Sequence, residues 1–275
     1  MTRKQLVDAI LKKKSYLLVG LDTDINKIPP HLLSYPDPVF EFNRQIIQAT
    51  EKYCIGYKIN TAFYEAGGIK GWSALEKTFE IIPSTHFKIA DAKRADIGHT
   101  SSQYAKAFFE HFRADAITVS PYMGEDSIRP FLEFENKWTI VLGLTSNPGA
   151  KDFEMLRIDQ DYLFEKILKT TSAWGSPDNL MFVIGATQAA MIRGIRKIMP
   201  KHFYLVPGVG AQGGNLQEIS ESALLEDVGL LINVSRSIIY ASDGEDFAAR
   251  AGNAAHFYQQ EMRVELARKV PSGLE

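Results

Sequence analysis

The chain lacks the features that mark secreted, membrane-spanning or nucleic-acid-binding proteins. Its 275 residues include one cysteine, Cys54, so no internal disulfide can form, and we expect a reducing compartment, the cytoplasm. No apolar stretch approaches the roughly 18 residues of a membrane span, and the segment 1–15 has no signal-peptide core. The net charge of -2 gives no sign of a surface for nucleic acid or membrane.

Metal-ligand clusters and dinucleotide motifs are also missing from the sequence. The six histidines are scattered and Cys54 has no metal-ligand neighbours, so we predict no zinc site, and no Ser-His-Asp pattern is evident. No G-x-G-x-x-G opens the first helix, which disfavours a doubly wound open sheet. What remains is an ordinary globular composition, 45% hydrophobic and 23% charged, with enough apolar mass for a large core.

Eight short apolar runs recur along the chain, and most are followed by segments of helical periodicity. Continuous apolar character is typical of strands that other layers cover on both faces. Eight strands alternating with helices favour a closed parallel (β/α)8 TIM barrel over an open sheet. The runs are Tyr16–Asp22, Cys54–Asn60, His86–Lys93, Ala116–Pro121, Trp138–Ser146, Leu180–Thr187, Tyr204–Gly210 and Leu230–Ser235.

We predict a single barrel domain over residues 1–275, because no linker or composition shift divides the chain. The segment 1–15 predicts an amphipathic helix ahead of the first strand. A long final helix is expected over Glu245–Lys269, ahead of a short polar tail, Val270–Glu275. Irregular stretches at 24–38 and 147–160 follow strand ends, on the face where a barrel keeps its chemistry.

Charged residues collect at the predicted end of the third strand. Asp91 and Lys93 are two positions apart, so their side chains share a face, and Asp96 lies just past the strand. A core does not tolerate unpaired charge, so such groups either pair or take part in chemistry. A structural salt bridge at a strand end is the alternative interpretation.

Polar residues also mark the ends of the other predicted strands. Because the ends of barrel strands meet at one mouth, this pattern indicates one active site and not scattered surface charge. These residues are Asp22, Lys58, Ser120, Thr145, Ser146, Thr187, Gln188 and Arg236.

A glycine-rich loop at 207–215 follows the seventh predicted strand. Its four glycines free backbone N–H groups to face an anion, and Arg236 after the next strand offers a forked guanidinium for phosphate oxygens. Barrels often build phosphate sites from these two loops. The pair predicts a phosphorylated small-molecule substrate. A flexible surface loop beside an unrelated arginine is the alternative.

Five segments, taken in order, resemble the orotidine 5'-phosphate decarboxylase family. The specific one is D-x-K-x-x-D-I at Asp91–Ile97, and Ala62–Gly68 is typical of the longer, type 2 branch of that family. At Ser235 the chain departs from the shorter branch, in which a glycine usually precedes the phosphate-binding arginine. The other matching segments are Gly20–Asp22, Tyr57–Asn60, Pro207–Gly214 and Ser235–Tyr240.

The resemblance implies an architecture and an activity. It implies a (β/α)8 barrel that works as a homodimer with active sites near the interface, without a metal or an organic cofactor. The implied reaction is decarboxylation of orotidine 5'-phosphate to uridine 5'-phosphate, the last step of de novo pyrimidine nucleotide synthesis.

The resemblance also implies roles for individual residues. Lys93 is the expected proton donor, Asp91 lies near the departing carboxylate, and Lys58 and Asp96 complete an alternating charge network. In the family, the aspartate at the position of Asp96 comes from the partner subunit. The expected substrate-binding residues are Asp22 and Asn60 for the ribose, Ile97 and Thr100 beside Asp96, Ser146 for the pyrimidine, Pro207 for the base pocket, and Gln212, Gly213, Ser235 and Arg236 for the phosphate.

Three other functions remain open from the residues alone. An aldolase similar to 3-hexulose-6-phosphate synthase shares D-x-K-x-x-D but uses a divalent metal, with which the ammonium of Lys58 would compete. A Schiff-base aldolase needs a lysine of lowered pKa, whereas Lys58 and Lys93 have carboxylate neighbours. A non-catalytic nucleotide-binding barrel is disfavoured because the motif lysine, Lys93, is present.

Overall fold

The eight apolar runs form a closed parallel barrel in the computed structural model, which describes residues 1–186, 189–210 and 214–270. Within these residues each barrel strand pairs with the next, and the eighth pairs with the first, which leaves no free edge. The predicted (β/α)8 fold is thus confirmed. The strands are β1 Leu17–Gly20, β2 Gly56–Asn60, β3 Phe87–Arg94, β4 Ala116–Val119, β5 Trp138–Leu144, β6 Leu180–Ile184, β7 Phe203–Pro207 and β8 Leu230–Val234.

Most strands are shorter than the runs that predicted them. β1 ends at Gly20, although the apolar run continues to Leu21, and β7 ends at Pro207, although Val209 is still apolar. Both Leu21 and Val209 are buried outside the strands. The length of an apolar run therefore reports burial, which extends past the last residue of the strand pairing.

Helices follow the strands and cover the outside of the barrel. The final helix begins at Phe247 rather than Glu245, and the helix Gly98–Lys106 continues directly into a π-helical turn, Ala107–His111. The helices are α1 Arg3–Lys13, α2 Pro38–Thr50, α3 Ala62–Glu65, α4 Gly68–Ile81, α5 Gly98–Lys106, α6 Glu125–Leu132, α7 Leu163–Ser172, α8 Ala189–Ile198, α9 Leu216–Ala223, α10 Arg236–Ile239 and α11 Phe247–Lys269. In the ranges described, no helix combines the length and apolar character that crossing a membrane requires.

The two stretches predicted to be irregular contain short local structure. Two 3-10 turns, Ile25–Lys27 and Pro30–Ser34, follow β1. After β5 come a third 3-10 turn, Pro148–Asp152, and an antiparallel ribbon in which Arg157–Ile158 pairs with Asp161–Tyr162. These loops lie at the C-terminal ends of β1 and β5.

Helix α1 lies at the N-terminal end of the barrel. Its first residue, Arg3, donates hydrogen bonds to the backbone oxygens of Pro177 and Lys201 and to the carboxylate of Asp227, at 2.6–2.8 Å. Pro177, Lys201 and Asp227 precede β6, β7 and β8, so one guanidinium joins three loops at this end. Those strand-end polar residues that the structure describes lie at the opposite end of the barrel, where a (β/α)8 fold places its active site.

Candidate active site

A shared carboxylate joins two lysines at the C-terminal ends of β2 and β3. Asp91 Oδ2 accepts a hydrogen bond from Lys58 Nζ at 2.7 Å, and Asp91 Oδ1 accepts one from Lys93 Nζ at 2.6 Å. Asp22, just past β1, places Oδ1 3.4 Å from Lys58 Nζ. The four side chains form a row of alternating charge, which we call the charged row: Asp22, Lys58, Asp91 and Lys93.

The middle of the charged row is buried, and its partners keep it ionised. Burial opposes the charge on Asp91, but the ammoniums of Lys58 and Lys93 outweigh burial and hold the pKa of Asp91 well below its usual range. Burial likewise opposes the charge on Lys58, yet Asp22 and Asp91 raise its pKa above the ordinary lysine value. The side chain of Lys93, in contrast, is 49% exposed. Lys93 is therefore the most exposed member of the row.

Hydrogen bonds of the two neighbouring residues, Leu21 and Thr23, fix the backbone around Asp22. The hydroxyl of Tyr64 donates to the backbone oxygen of Leu21 at 3.1 Å. The hydroxyl of Thr23, which is buried, donates to the side-chain oxygen of Asn43 at 2.6 Å. These contacts fix the direction in which the chain leaves β1, and with it the position of the Asp22 carboxylate.

The charged row forms one wall of a cavity of about 200 Å³ at the mouth of the barrel. Apolar residues of β5, β6 and β7 line another part of the cavity, and Arg236, the first residue of α10, lies at its edge. A ligand with an apolar part and an anionic group fits this distribution of surfaces. The lining residues are Asp22, Lys58, Asn60, Asp91, Lys93, Leu142, Val183, Leu205, Pro207, Gly208, Val209, Asn233, Ser235 and Arg236.

The end of β8 lies unusually close to β1. A Cβ atom on Gly20 would be 2.7 Å from the Cβ of Ser235 and 3.1 Å from the Asn233 amide, so only glycine fits at position 20. The hydroxyl of Ser235 donates to the backbone oxygen of Gly20 at 3.0 Å. This approach brings Ser235 and Arg236 into the same cavity as the charged row.

Eight of the residues predicted from the sequence line this cavity together. They are Asp22, Lys58, Asn60, Asp91, Lys93, Pro207, Ser235 and Arg236. Two further predicted residues, Gln212 and Gly213, lie outside the described residues, as do Thr187 and Gln188.

The other four residues with a predicted role in catalysis or binding are not among the residues that line the cavity within the described chain, and neither are the strand-end residues Ser120 and Thr145. Asp96 accepts a hydrogen bond from the backbone N–H of Ile97 at 2.8 Å, and Ile97 is 61% exposed. Thr100 lies in the first turn of α5. Ser146 packs against the end of β6, where a Cβ on Gly185 would approach its atoms to 2.8–3.0 Å.

Sequence reasoning missed two polar residues of the site, Thr118 and Asn233. Thr118 donates a hydrogen bond to Asp91 Oδ1 at 2.9 Å, and Asn233 lines the cavity. Each lies two positions before a residue that marks a strand end, Ser120 or Ser235. Since side chains two apart on a strand share a face, counting back from those residues could have found both.

Among residues 1–186, 189–210 and 214–270, no group of three or more His, Cys, Asp or Glu side chains is arranged to hold a metal ion.

A closed parallel barrel with a charged cavity at the C-terminal ends of its strands is the arrangement of (β/α)8-barrel enzymes. Comparison with known proteins shows which family of these barrel enzymes the chain belongs to. The model of the orotidine 5'-phosphate decarboxylase / HUMPS family matches residues 15–251, and the chain belongs to this family. The family resemblance predicted from the sequence is confirmed.

Individual relatives match over nearly their whole length. The orotidine 5'-phosphate decarboxylase of Christiangramia forsetii is 55% identical over 269 residues, which are 97% of this chain and 99% of that protein. The protein of the same name from Porphyromonas gingivalis strain W83 is 53% identical over 274 residues, 98% of this chain and 99% of that one. The solved structure of Leishmania donovani OMP decarboxylase is 34% identical, with a TM-score of 0.80, and covers 94% of this chain and 100% of that chain.

Proposed function

We propose that this enzyme decarboxylates orotidine 5'-phosphate to uridine 5'-phosphate, the last step of de novo pyrimidine nucleotide synthesis. The observation that carries the proposal is the charged row, with the ammonium of Lys93 exposed to a cavity that Arg236 borders. The names of the relatives support the same reaction. We propose a cytoplasmic enzyme, in keeping with the single cysteine.

The chemical difficulty of this reaction is the charge left on the pyrimidine. When the bond between C6 and the carboxylate breaks, carbon dioxide leaves and the electron pair stays on C6, in the plane of the ring. Resonance cannot spread an in-plane pair, so the enzyme must supply a fixed positive charge beside it. In the proposal Lys93 Nζ stabilises this pair and then gives it a proton, and the neutral amine regains a proton from solvent.

The remainder of the charged row supports Lys93. Asp91 accepts from Lys93 Nζ at 2.6 Å, so it orients the ammonium toward the substrate and lies close to the departing carboxylate. Two neighbouring carboxylates repel each other, and loss of carbon dioxide relieves that repulsion. The ammonium of Lys58 lies 2.7 Å from Asp91 Oδ2 and neutralises its charge, so the row stays ionised when no substrate is bound.

Substrate binding is divided between the two sides of the cavity. We assign Asp22 and Asn60 to the ribose hydroxyls and Ser146 to the pyrimidine, with Pro207 shaping the base pocket. The phosphate is assigned to Arg236 and Gln212, with backbone amides near Gly213 and Ser235. In the proposal, binding energy gained at the phosphate helps to close the 207–215 loop and exclude water.

The proposal includes a second copy of the chain. Asp96, Ile97 and Thr100 are assigned to the partner subunit's site, which would make the active unit a homodimer. The 61% exposure of Ile97 supports this assignment, as does the exposure of Tyr122 and Met123 in the next loop of the barrel. Large apolar side chains exposed in neighbouring loops are typical of a surface that another protein covers.

The test is the absorbance of orotidine 5'-phosphate incubated with EDTA-treated protein. Loss of the orotate-ring signal with formation of uridine 5'-phosphate is the expected result, and the Lys93→Ala variant serves as the inactive control. If the substrate is unchanged in chelator while a sugar phosphate is consumed after magnesium is added, the protein works as a metal-dependent aldolase and the proposal is wrong.

A further inference from the structure

One buried hydroxyl contacts both reactive members of the charged row. Thr118 Oγ1 donates to Asp91 Oδ1 at 2.9 Å and accepts from the backbone N–H of Lys93 at 3.0 Å. Thr118 is 1% exposed and belongs to β4, the strand beside the two residues that it contacts. It is not among the residues lining the cavity, so any effect on the reaction must pass through Asp91 and Lys93.

The contact lies where the pairing of β3 with β4 is irregular. Ala90 pairs with Ile117 and Arg94 pairs with Val119, so the segment from Asp91 to Lys93 lies opposite Thr118 alone. Such a bulge redirects side chains and leaves ladder groups without their regular partners. Here the side chain of Thr118 takes the place of a backbone acceptor for Lys93.

The backbone of Lys93 is strained at the same point. Its φ of 47° lies in the left-handed region, which residues other than glycine seldom adopt. Strain of this kind persists only where surrounding contacts hold the backbone in place. The hydrogen bond from the Lys93 N–H to Thr118 is a contact of that kind, and it acts on the residue whose ammonium faces the cavity.

The carboxylate of Asp91 is oriented by the same hydroxyl. Oδ2 accepts from Lys58, and Oδ1 accepts from both Lys93 Nζ and Thr118. Unlike an ammonium on a flexible stem, the threonine hydroxyl sits on a β-branched side chain with few rotamers. Thr118 therefore fixes the plane of the carboxylate that in turn directs Lys93.

We propose that Thr118 is a positioning residue for the decarboxylation. Its hydroxyl fixes the Asp91 carboxylate and the strained Lys93 backbone relative to each other, so that the ammonium of Lys93 points at the reacting carbon. The inference rests on the proposed function, because Lys93 and Asp91 must be the groups that act on the substrate.

The test compares two valine variants of neighbouring buried threonines. Thr118→Val keeps the shape of the side chain and removes both hydrogen bonds. The matched control is Thr139→Val, on β5, because the hydroxyl of Thr139 is buried without a hydrogen-bond partner among the described residues. Thr118→Ser restores the hydroxyl.

We expect kcat of Thr118→Val to fall by about tenfold to a hundredfold, the range for losing hydrogen bonds to charged or strained groups. The KM for orotidine 5'-phosphate should stay within about twofold of wild type, because Thr118 does not touch the cavity. Thr118→Ser should recover most of kcat, and Thr139→Val should match wild type. Rates are expressed per site that binds uridine 5'-phosphate in calorimetry, so loss of folded protein does not count as loss of kcat.

Equal kcat in Thr118→Val and Thr139→Val overturns the positioning role, and so does a loss that Thr118→Ser does not recover. If Thr118→Val does not fold, Thr118→Cys takes its place, since a thiol is a weak hydrogen-bond donor. Its kcat should then lie well below that of Thr118→Ser, and equality overturns the inference. A wild-type protein that binds the substrate without decarboxylating it refutes the proposed function instead.

Discussion

The phenol oxygen of Tyr240 donates a hydrogen bond to the backbone oxygen of Asp22 at 3.1 Å and accepts one from the backbone N–H of Asp24 at 2.8 Å. Burial raises the pKa of Tyr240 to about 12, so the group is a neutral donor near pH 7. Tyr240 directly follows α10, which begins with Arg236. One side chain thus joins the helix assigned to the phosphate to the loop that carries Asp22.

Removing this hydroxyl should weaken substrate binding. In Tyr240→Phe, Asp22 loses a contact that fixes its backbone, and we expect KM for orotidine 5'-phosphate to rise about three- to tenfold, the worth of one hydrogen bond. The control is Tyr204→Phe, which loses a hydrogen bond to the backbone oxygen of Met199 far from the cavity. Steady-state kinetics of the two variants measure the effect. A wild-type KM in both would contradict the role of Tyr240 in positioning Asp22.

Lys93→Ala should separate activity from stability. Its side chain is half exposed, and its removal leaves Asp91 still paired with Lys58, so the midpoint of thermal unfolding should hardly move. Turnover should fall by about a thousandfold or more, because both the positive charge and the proton donor are gone. Lys197→Ala, on the exposed face of α8, is the control. Near-normal turnover in Lys93→Ala would contradict the proposed role of Lys93 as proton donor.

Lys58→Met, unlike Lys93→Ala, should clearly lower the stability of the fold. Lys58 is buried between Asp22 and Asp91, and its raised pKa means that its charge stabilises the fold at every pH below the ordinary lysine pKa of about 10.4. Removing it at pH 7 should cost about 3 kcal/mol of unfolding free energy in urea, since Asp22 and the buried Asp91 lose the ammonium that they share. Lys77→Met, which breaks the exposed pair with Asp37, should cost under about 1 kcal/mol. An equal loss of unfolding free energy in the two variants would show that water solvates the charged row as it does the surface pair.

Mixing two inactive variants tests whether Asp96 serves the partner subunit. A dimer of one Lys93→Ala chain and one Asp96→Ala chain has one site with both residues intact. Unfolding and refolding equal amounts together should therefore restore about a quarter of wild-type activity, because half of the dimers are mixed and each has one working site. The control is the same mixture without unfolding. If activity does not return although mixed dimers form, Asp96 acts within its own chain.

The sequence predicted the fold, and the placing of Asp91 and Lys93 on one face, because both depend on short-range patterns. Burial on both faces produced the eight apolar runs, and the spacing of two between Asp91 and Lys93 placed them on one face. The bulge opposite Thr118 and the left-handed backbone of Lys93 left no such pattern, since both arise from how β3 meets β4. Asp96 lies past the end of β3 and outside the cavity of its own chain, and the order of strands along one chain cannot predict whether a residue serves a second copy, as we propose for Asp96.

The buried imidazole of His202 predicts a loss of stability in acid. Burial, aided by the charges of Arg3 and Arg196, lowers the pKa of His202 to about 4, and neither ring nitrogen has a hydrogen-bond partner among the described residues. The unfolded chain, with a histidine pKa of about 6.5, binds the proton more readily than the folded one.

The stabilisation by neutral His202 is therefore complete above roughly pH 6.5 and is lost as the pH falls through 4, by roughly 2 to 3 kcal/mol. Urea unfolding across this range should give a steeper pH dependence for wild type than for His202→Phe, which cannot take up the proton and keeps an aromatic ring against Phe182. The same slope in both proteins would mean that acid unfolding is governed by other groups, such as protonation of Asp91 at still lower pH.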